Sequence, residues 1–257
     1  DVFSLKTRSS DPGIIQVQGV DLGSVTLDAV SAGRVELTVG DGSDEDRLDL
    51  EARDVATVTL SPPRHPEFQS DPVAVLMGGT VQLPVSLKDA GGRLLIGYGL
   101  PGFTVTPGTA GGARWSDDAG ILQVDVSTGL TDGDTMTVNH PKGDFVSFKV
   151  ADPSAIGQLE WAKGQNSGVF PGDEVLALLR ARTADGTTTL LGLDGLASVT
   201  HGAGGSCSVQ PLVSGLLMNG YYLIQAHGVG QCEVTALVGS QSAVLSFAVN
   251  PKDISAR

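Results

Sequence analysis

Apolar residues alternate with polar ones, position by position, along most of this chain. The alternation runs through "SVTLDA", "RVELTV", "TVQLPVSLK", "ILQVDVS" and "FVSFKV", and it returns in the last third of the sequence. A period of two residues places the apolar side chains on one face of a β-strand. The chain also carries 35 glycines and 13 prolines, and clusters of Gly, Asp and Pro interrupt the alternating runs at short spacings. This pattern predicts an all-β protein built of short strands, as in a β-sandwich.

A sequence pattern recurs three times at intervals of roughly 100 residues, which is the length of one immunoglobulin-like domain. Each copy has a turn, a glycine and a strand, in "SAGRVELTV", "TDGDTMTVN" and "GVGQCEVTA", followed by another strand and a proline. From these prolines (Pro62, Pro153 and Pro251) we predict the last part of one domain at 1–62, complete domains at 63–152 and 153–251, and a tail at 252–257. The linkers are short and contain proline, so the two complete domains are expected to be joined end to end with little contact.

The segment "SSDPGIIQV", followed by "AVSAGRVELTV", resembles the bacterial immunoglobulin-like repeats that occur in tandem on surface and secreted proteins. The segments "MGGTVQLPVSLKDAGGRLLIG" and "GVFPGDEVLALLRARTADGTTTLLG" resemble the first strands of related domains, the second with a hairpin at Asp185 and Gly186. The resemblance implies tandem immunoglobulin-like β-sandwiches that act as stalks, spacers or adhesion modules. It also implies an extracellular or cell-surface location in a bacterium, or the periplasm, and it brings no catalytic residues.

The first copy is shorter than the other two. Roughly 40 fewer residues precede Gly33 than separate Gly133 from Pro62 or Gly230 from Pro153. The deficit corresponds to the opening strands A and B, so residues 1–60 are expected to supply only the later strands of a sandwich. The missing strands are expected from an upstream stretch of chain, from a cleaved fragment or from a neighbouring subunit. Donation by a neighbour would make the protein part of a fibre or larger assembly.

The net charge of −13 disfavours two classes of partner. With 29 acidic and 16 basic residues, the chain repels nucleic acid and anionic lipid. No apolar run reaches the ~18 residues that a membrane-spanning helix needs. The partners expected are therefore other domains of the same chain or neighbouring subunits, with a glycan as a further possibility.

The two cysteines, Cys207 and Cys232, form neither a CxxC motif nor a cluster with histidines, which argues against zinc. Cys232 is in phase with Val234 and Ala236, and Cys207 is in phase with Val209, so both side chains are expected to point inward. We predict a disulfide bond within the third copy that links neighbouring strands, which would imply export to an oxidising compartment. Two buried free thiols are the alternative.

An acidic run, "GDGSDEDRLDLE", lies in the last hairpin of the first copy. Its carboxylates (Asp41, Asp44, Glu45 and Asp46) are candidate calcium ligands, because calcium takes six to eight oxygen ligands. The spacing differs from that of an EF-hand loop, and a solvated, solubilising hairpin is the favoured interpretation. No other cofactor is expected.

Nothing in the sequence predicts an enzyme. It contains no G-x-S-x-G elbow or phosphate-binding loop, and its four histidines (His65, His140, His201 and His227) are scattered beside turn residues, where solvated loop positions are expected. Aromatic residues make up only 5% of the chain, a weak signal for a sugar-binding platform. The prediction is a non-catalytic structural or adhesive spacer of an exported bacterial surface protein. The alternative is a glycan- or protein-binding module attached to a larger secreted enzyme.

Overall fold

The computed structural model describes residues 6–21, 24–41, 44–64, 71–96, 102–108, 112–115, 120–143, 145–163, 168–202, 204–212 and 220–252. These residues form β-strands and one short 3-10 turn, Pro153–Ala155, so the prediction of an all-β chain is confirmed. The chain divides into two compact units. Unit 1 comprises Asp1–Val58 and Leu87–Leu95, and unit 2 comprises Thr59–Ser86 and Ile96–Arg257. The predicted tail beyond Lys252 lies outside the described residues.

The first copy has five strands that form two small sheets. The three-stranded sheet has the order β1-β4-β5 and the two-stranded sheet pairs β2 with β3, all antiparallel. The strands are β1 (Lys6–Ser9), β2 (Ile15–Asp21), β3 (Ser24–Ala29), β4 (Gly33–Gly40) and β5 (Glu45–Ala52).

The second copy has nine strands, and the boundary between the two compact units falls inside two of them, β6 and β8. The strands are β6 (Thr57–Leu60), β7 (Val73–Leu76), β8 (Thr80–Lys88), β9 (Leu94–Leu95), β10 (Thr104–Thr106), β11 (Ala113–Trp115), β12 (Ile121–Asp125), β13 (Thr135–Asn139) and β14 (Phe145–Ala151). One sheet has the order β11-β12-β8-β6, and β10-β13-β14-β7 lie side by side in the other. By its pairing β6 goes with the second copy, although the sequence boundary at residue 62 assigns it to the first. The domain boundaries drawn from the sequence stay predictions.

The third copy has eight strands, again in two sheets. They are β15 (Ile156–Lys163), β16 (Glu174–Thr183), β17 (Thr189–Leu191), β18 (Ser198–His201), β19 (Cys207–Pro211), β20 (Tyr221–Ala226), β21 (Gly230–Val238) and β22 (Gln241–Val249). One sheet contains β15, β16, β20 and β19, and the other has the order β18-β21-β22. Val169 makes a parallel bridge to Val249 at the edge of the second sheet.

The same strand order underlies all three copies. Written with the letters of an immunoglobulin-like sandwich, strands A, B, E and D form one sheet and strands C, F and G form the other, with a short strand A′ running parallel to G. In the second copy A to G are β6, β8, β10, β11, β12, β13 and β14, with β7 as A′. In the third copy A and B are β15 and β16, C to G are β18 to β22, and Val169 stands at A′. In the first copy C to G are β1 to β5, and no described residue of unit 1 holds the place of A, A′ or B.

Burial follows this difference in strand number. Both sandwiches of unit 2 contain residues with no exposed surface, among them Val81, Val124, Val138 and Ile224. In the first copy, Ile15, Val35 and Ala52 form a core cluster against which Ile14, Leu27 and Leu50 are only partly buried, and Leu37 is buried as well. The described strands of the first copy therefore correspond to the later strands of a sandwich, and part of their apolar face is exposed.

Candidate functional site: a strand shared by two sandwiches

Strand β7 lies between two sandwiches and pairs with both. It runs parallel to β14 of the second copy, where Val75 is opposite Val150, and parallel to β17 of the third copy, where Val75 is opposite Leu191. Pro72 precedes the strand and its carbonyl accepts a hydrogen bond from the backbone N–H of Thr189 at 2.9 Å. Leu76 and Val75 have no exposed surface. The prediction of little contact between 63–152 and 153–251 is wrong, because one continuous sheet crosses from β10 to β19 through β7.

The strand of the third copy that pairs with β7 is β17, and it belongs to a hairpin. Strand β16 turns back into β17 at Asp185 and Gly186, as the sequence predicts, and Gly186 adopts a φ of +69°, which glycine tolerates. The carboxylate of Asp185 accepts hydrogen bonds from the Thr183 hydroxyl at 2.6 Å and from the Thr187 N–H at 3.1 Å. The Thr183 hydroxyl contributes most to holding the pKa of Asp185 below its usual value.

An ion pair lies at the start of the shared strand β7. Arg182 in β16 donates from Nη2 to Oδ2 of Asp71 at 2.7 Å, and both side chains are about three-quarters buried. The Thr189 side chain is fully buried next to this pair, with its hydroxyl 3.5 Å from the same carboxylate oxygen. A charged hydrogen bond of this kind contributes more than an exposed surface pair, because water screens it less.

Asp194 occupies a desolvated position in the same region. Its backbone carbonyl accepts the N–H of Thr80 at 2.9 Å, which joins the third copy to the start of β8. Burial raises the pKa of the Asp194 carboxyl, and a hydrogen bond from the Gly220 N–H offsets part of that rise. Burial also raises the pKa of Tyr222, and the negative charge of Asp194 raises it further.

A disulfide bond joins Cys207 to Cys232, with 5.6 Å between their Cα atoms. The predicted bond is present, but the predicted link between neighbouring strands is wrong. Cys207 lies in β19 and Cys232 in β21, which belong to opposite sheets, so the bond crosses the core of the third sandwich. Trp161 packs against that core and donates its indole N–H to the carbonyl of Ala243 at 3.2 Å.

The acidic hairpin is organised by backbone hydrogen bonds. The N–H of Asp41 donates to the carbonyl of Asp44, and the N–H of Asp44 donates to the Asp41 carboxylate at 3.1 Å. Glu45 and Asp46 follow in β5, opposite Gly40 and Val39. Among the residues that the structure describes, no group of three or more carboxylates, histidines or cysteines is placed to hold a metal ion. Calcium binding by Asp41, Asp44, Glu45 and Asp46 stays a prediction.

Two of the histidines contact another side chain among the described residues. His227 is exposed, and its Nε2 lies 2.7 Å from the hydroxyl of Ser208. His140 is only 6% exposed and packs against the ring of Phe103, so the expectation of a solvated loop position is wrong for this residue. His65 lies outside the described residues.

Surface aromatic groups are few among the described side chains. Tyr222 is buried and Tyr221 is partly buried. Phe145 is 69% exposed at the start of β14, opposite Asn139, which in turn pairs with Thr104. No described helix is long and apolar enough to cross a membrane.

The shared strand escaped the sequence reasoning, although two sequence signals point to it. Residues 87–96 and 181–192 form equivalent hairpins at the end of strand B, in which Leu87 pairs with Leu95 and Ala181 with Leu190. Each hairpin ends in a run of apolar residues, which a solvent-exposed turn does not require. The second signal is Asp71, which stands directly before Pro72 and β7 and supplies the partner of Arg182.

Comparisons with known proteins find similarity in structure and none in sequence. No protein-family model matches the chain, and no curated protein matches it. Domains 4–9 of the surface-layer protein SbsC cover 97% of this chain and 39% of that one, at 14% identity and a TM-score of 0.33. Invasin, a bacterial integrin-binding protein, covers 96% of this chain and 52% of that one, at 15% identity and a TM-score of 0.34.

The adhesin FdeC of Escherichia coli covers 79% of this chain and 66% of that one, at 19% identity and a TM-score of 0.30. This chain therefore spans only part of the length of several proteins to which it is similar. The similar structures are immunoglobulin-like domains of bacterial surface proteins, the class that the sequence resembles. The pairing of its own strands identifies the fold of this chain as a series of immunoglobulin-like β-sandwiches.

Proposed function

We propose that this chain is a non-catalytic structural or adhesive segment of an exported bacterial surface protein. The observation that carries the proposal is the strand β7, which two consecutive sandwiches share. Such a strand fixes one sandwich to the next through backbone hydrogen bonds, which suits a spacer that must hold a distance or transmit a load. The partners of such a segment are other domains of the same chain or neighbouring subunits.

The disulfide between Cys207 and Cys232 supports the export part of the proposal. Disulfides persist in oxidising compartments and are rare in the cytosol. The bond lies in a buried core, where both cysteines are at most 4% exposed, so it serves structure and not redox exchange.

The location is tested on intact cells. Antibodies raised against residues 153–251 are expected to label non-permeabilised bacteria that express the protein, with an antibody against a cytosolic protein as the control. Labelling that appears only after permeabilisation would contradict export.

The transmission of force through β7 is tested by pulling single molecules from their two ends. Val75→Pro removes one backbone N–H of β7 and is expected to lower the force at which unit 2 unfolds. Val244→Thr, at an exposed position of β22, serves as the matched control and is expected to leave that force unchanged. Equal unfolding forces for the two variants would sink the idea that β7 carries load.

A second function, glycan binding, rests on the exposed ring of Phe145. The ring lies in a row with Asn139 and Thr104, which offers an apolar platform beside an amide and a hydroxyl group. A glycan array is expected to show binding that Phe145→Ala abolishes and Val244→Ala preserves. An array without any signal, or with equal signals for the two variants, would rule this function out for the β14 face.

A further inference from the structure

Unit 1 contains a gap of the kind that β7 fills in unit 2. In unit 2, the A′ strand β7 lies between the G strand β14 and the hairpin strand β17. In unit 1, the G strand is β5 and the corresponding hairpin strand is β9, since β9 returns from β8 as β17 returns from β16. Among the described residues of unit 1, no strand pairs with β5 on the side away from β4, and none pairs with β9 except β8.

The solvent exposure of side chains in the hairpin that carries β9 is independent evidence of the same gap. Matching the cross-strand pairs places Leu94 at the position of Thr189 and Leu95 at that of Leu190. Thr189 and Leu190 are at most 1% exposed beneath β7, whereas Leu94 is 67% exposed. Apolar side chains at positions that are buried in the equivalent hairpin indicate a missing strand.

One apolar residue in the G strand of unit 1 is also more exposed than its counterpart in unit 2. Leu48 in β5 pairs with buried Leu37, just as Val146 in β14 pairs with buried Val138. Leu48 is 54% exposed and Val146 is 6% exposed. Leu48 and Val146 lie outside the stretch that pairs with β7, which in β14 is Lys149–Ala151, so the exposure of Leu48 reflects the lack of a facing sheet there among the described residues. The residues that match Lys149–Ala151 are Glu51 and Ala52 of β5 and Arg53 directly after it.

The hairpin that carries β9 is held in place without an added strand. Arg53, directly after β5, donates to the carboxylate of Asp89 at 3.0 Å and to that of Glu51 at 2.6 Å. Asp89 also accepts the N–H groups of Gly91 and Arg93, and the bond from Arg93 is the main cause that lowers the pKa of Asp89. These contacts keep the two edges of the gap in fixed relation inside unit 1.

We propose that unit 1 binds an extended polypeptide segment between β5 and β9, parallel to both strands, with the chemistry Asp-Pro followed by four apolar residues. The segment Asp71–Leu76 is the template, because it occupies the equivalent place in unit 2. Lys88 stands where Arg182 binds Asp71, so it is the partner of the aspartate of the incoming segment. The inference rests on strand matching and does not depend on the proposed function.

The occupant is not Asp71–Leu76 of a second copy of this chain. That segment is built into unit 2, where Ala74, Val75 and Leu76 are buried and Asp71 is bound to Arg182. Two chains with a net charge of −13 also repel each other. A free strand from another polypeptide segment meets neither obstacle and adds backbone hydrogen bonds to two open edges.

The test is the binding of a fluorescent peptide, SDPVAVLMG, to the 257-residue protein, followed by fluorescence anisotropy. Saturable 1:1 binding is expected, and the same peptide with proline in place of its second valine, SDPVAPLMG, is expected not to bind. Leu94→Glu should weaken binding tenfold or more, whereas Val229→Glu, at a similarly exposed position just before β21, should leave it unchanged. No saturation at roughly millimolar peptide, or equal effects of the two variants, overturns the proposal.

A charge swap and hydrogen exchange locate the bound peptide. Lys88→Glu should weaken binding, and the peptide SKPVAVLMG should bind this variant better than it binds the unmodified protein. The bound peptide should slow amide exchange in β5 and β9. Slowed exchange at the edge strand β22 instead, or a protein that forms dimers through unit 1 without peptide, contradicts the assignment of the site.

Discussion

At the scale of single residues, burial raises the pKa of the Asp194 carboxyl. The direction of this shift determines how the free energy of unfolding changes with pH. A carboxyl with a raised pKa in the folded state favours folding while protonated, and that contribution is lost as the pH rises through the folded-state pKa. Asp194→Asn removes the charge and keeps an oxygen that accepts the Gly220 N–H. We expect the variant to be more stable than the parent at pH 7 and equally stable near pH 3, as measured by urea unfolding of unit 2.

Asp185→Asn provides the opposite case for comparison. The pKa of Asp185 is lowered, first by the Thr183 hydroxyl, so its ionised form stabilises the fold above the unfolded-state pKa and this contribution is lost at acid pH. The substitution should therefore lower stability at pH 7. If both variants shift the unfolding midpoint in the same direction at pH 7, the buried position of Asp194 does not control its effect.

The ion pair of Asp71 and Arg182 gives a second prediction at this scale. A double-mutant cycle with Asp71→Ala and Arg182→Ala should give a coupling energy of about 1 kcal/mol or more, because both groups are mostly buried. The exposed pair of Arg47 and Glu36, whose side chains are 65% and 42% exposed, should give roughly half of that or less. Equal coupling in the two cycles would show that the buried pair does not strengthen the hold on β7.

At the scale of elements, the disulfide ties β19 of one sheet to β21 of the other. The two cysteines are 25 positions apart, and closing a loop of this size stabilises a fold by roughly 3 kcal/mol. Replacing both cysteines by alanine should lower the free energy of unfolding of unit 2 by about that amount, measured in urea. Reductant should then have no further effect on the variant, and a reductant effect equal to that on the parent would disprove the bond.

Strand existence follows from the sequence far better than strand partnership does. The alternation in "RVELTV" and "FVSFKV" predicts β4 and β14, because one face of each strand is buried and the other is solvated. The partners of β7 do not follow from its sequence, "VAVL", since an apolar run of four residues fits any buried strand. The cysteines illustrate the same limit. Their inward direction is readable from the period, but the sheet to which each strand belongs depends on pairings across the whole copy.

The candidate site is affected most by this limit. Asp185 and Gly186 are readable as a turn, because an Asp-Gly pair between apolar runs favours a hairpin. The role of that hairpin as the support of β7 comes from residues more than 100 positions apart, such as Asp71 and Arg182. Local sequence patterns carry no information on contacts of that range.

At the scale of the whole molecule, the two units differ in how completely their strands are paired. Strands β2 and β3 form a two-stranded sheet, which is marginally stable by itself, whereas β16 has partners along both edges. Amide hydrogens of β2 and β3 are therefore expected to exchange faster than those of β16, and unit 1 should unfold at a lower urea concentration than unit 2. Hydrogen-exchange mass spectrometry checks both points, and uniform protection across β2, β3 and β16 would contradict them.

The shared strand also determines where such a chain can be cut and rejoined. A cut at the repeat boundary near Pro153 separates β17 from β7, the strand that covers it, and leaves Leu190 and Leu191 without their neighbour. A recombination event that exchanges whole repeats would therefore produce a hairpin facing a foreign strand. Two neighbouring repeats that share a strand must therefore be kept together when the chain recombines. A substitution in β7 is tolerated only if its side chain fits both the copy before the boundary and the copy after it.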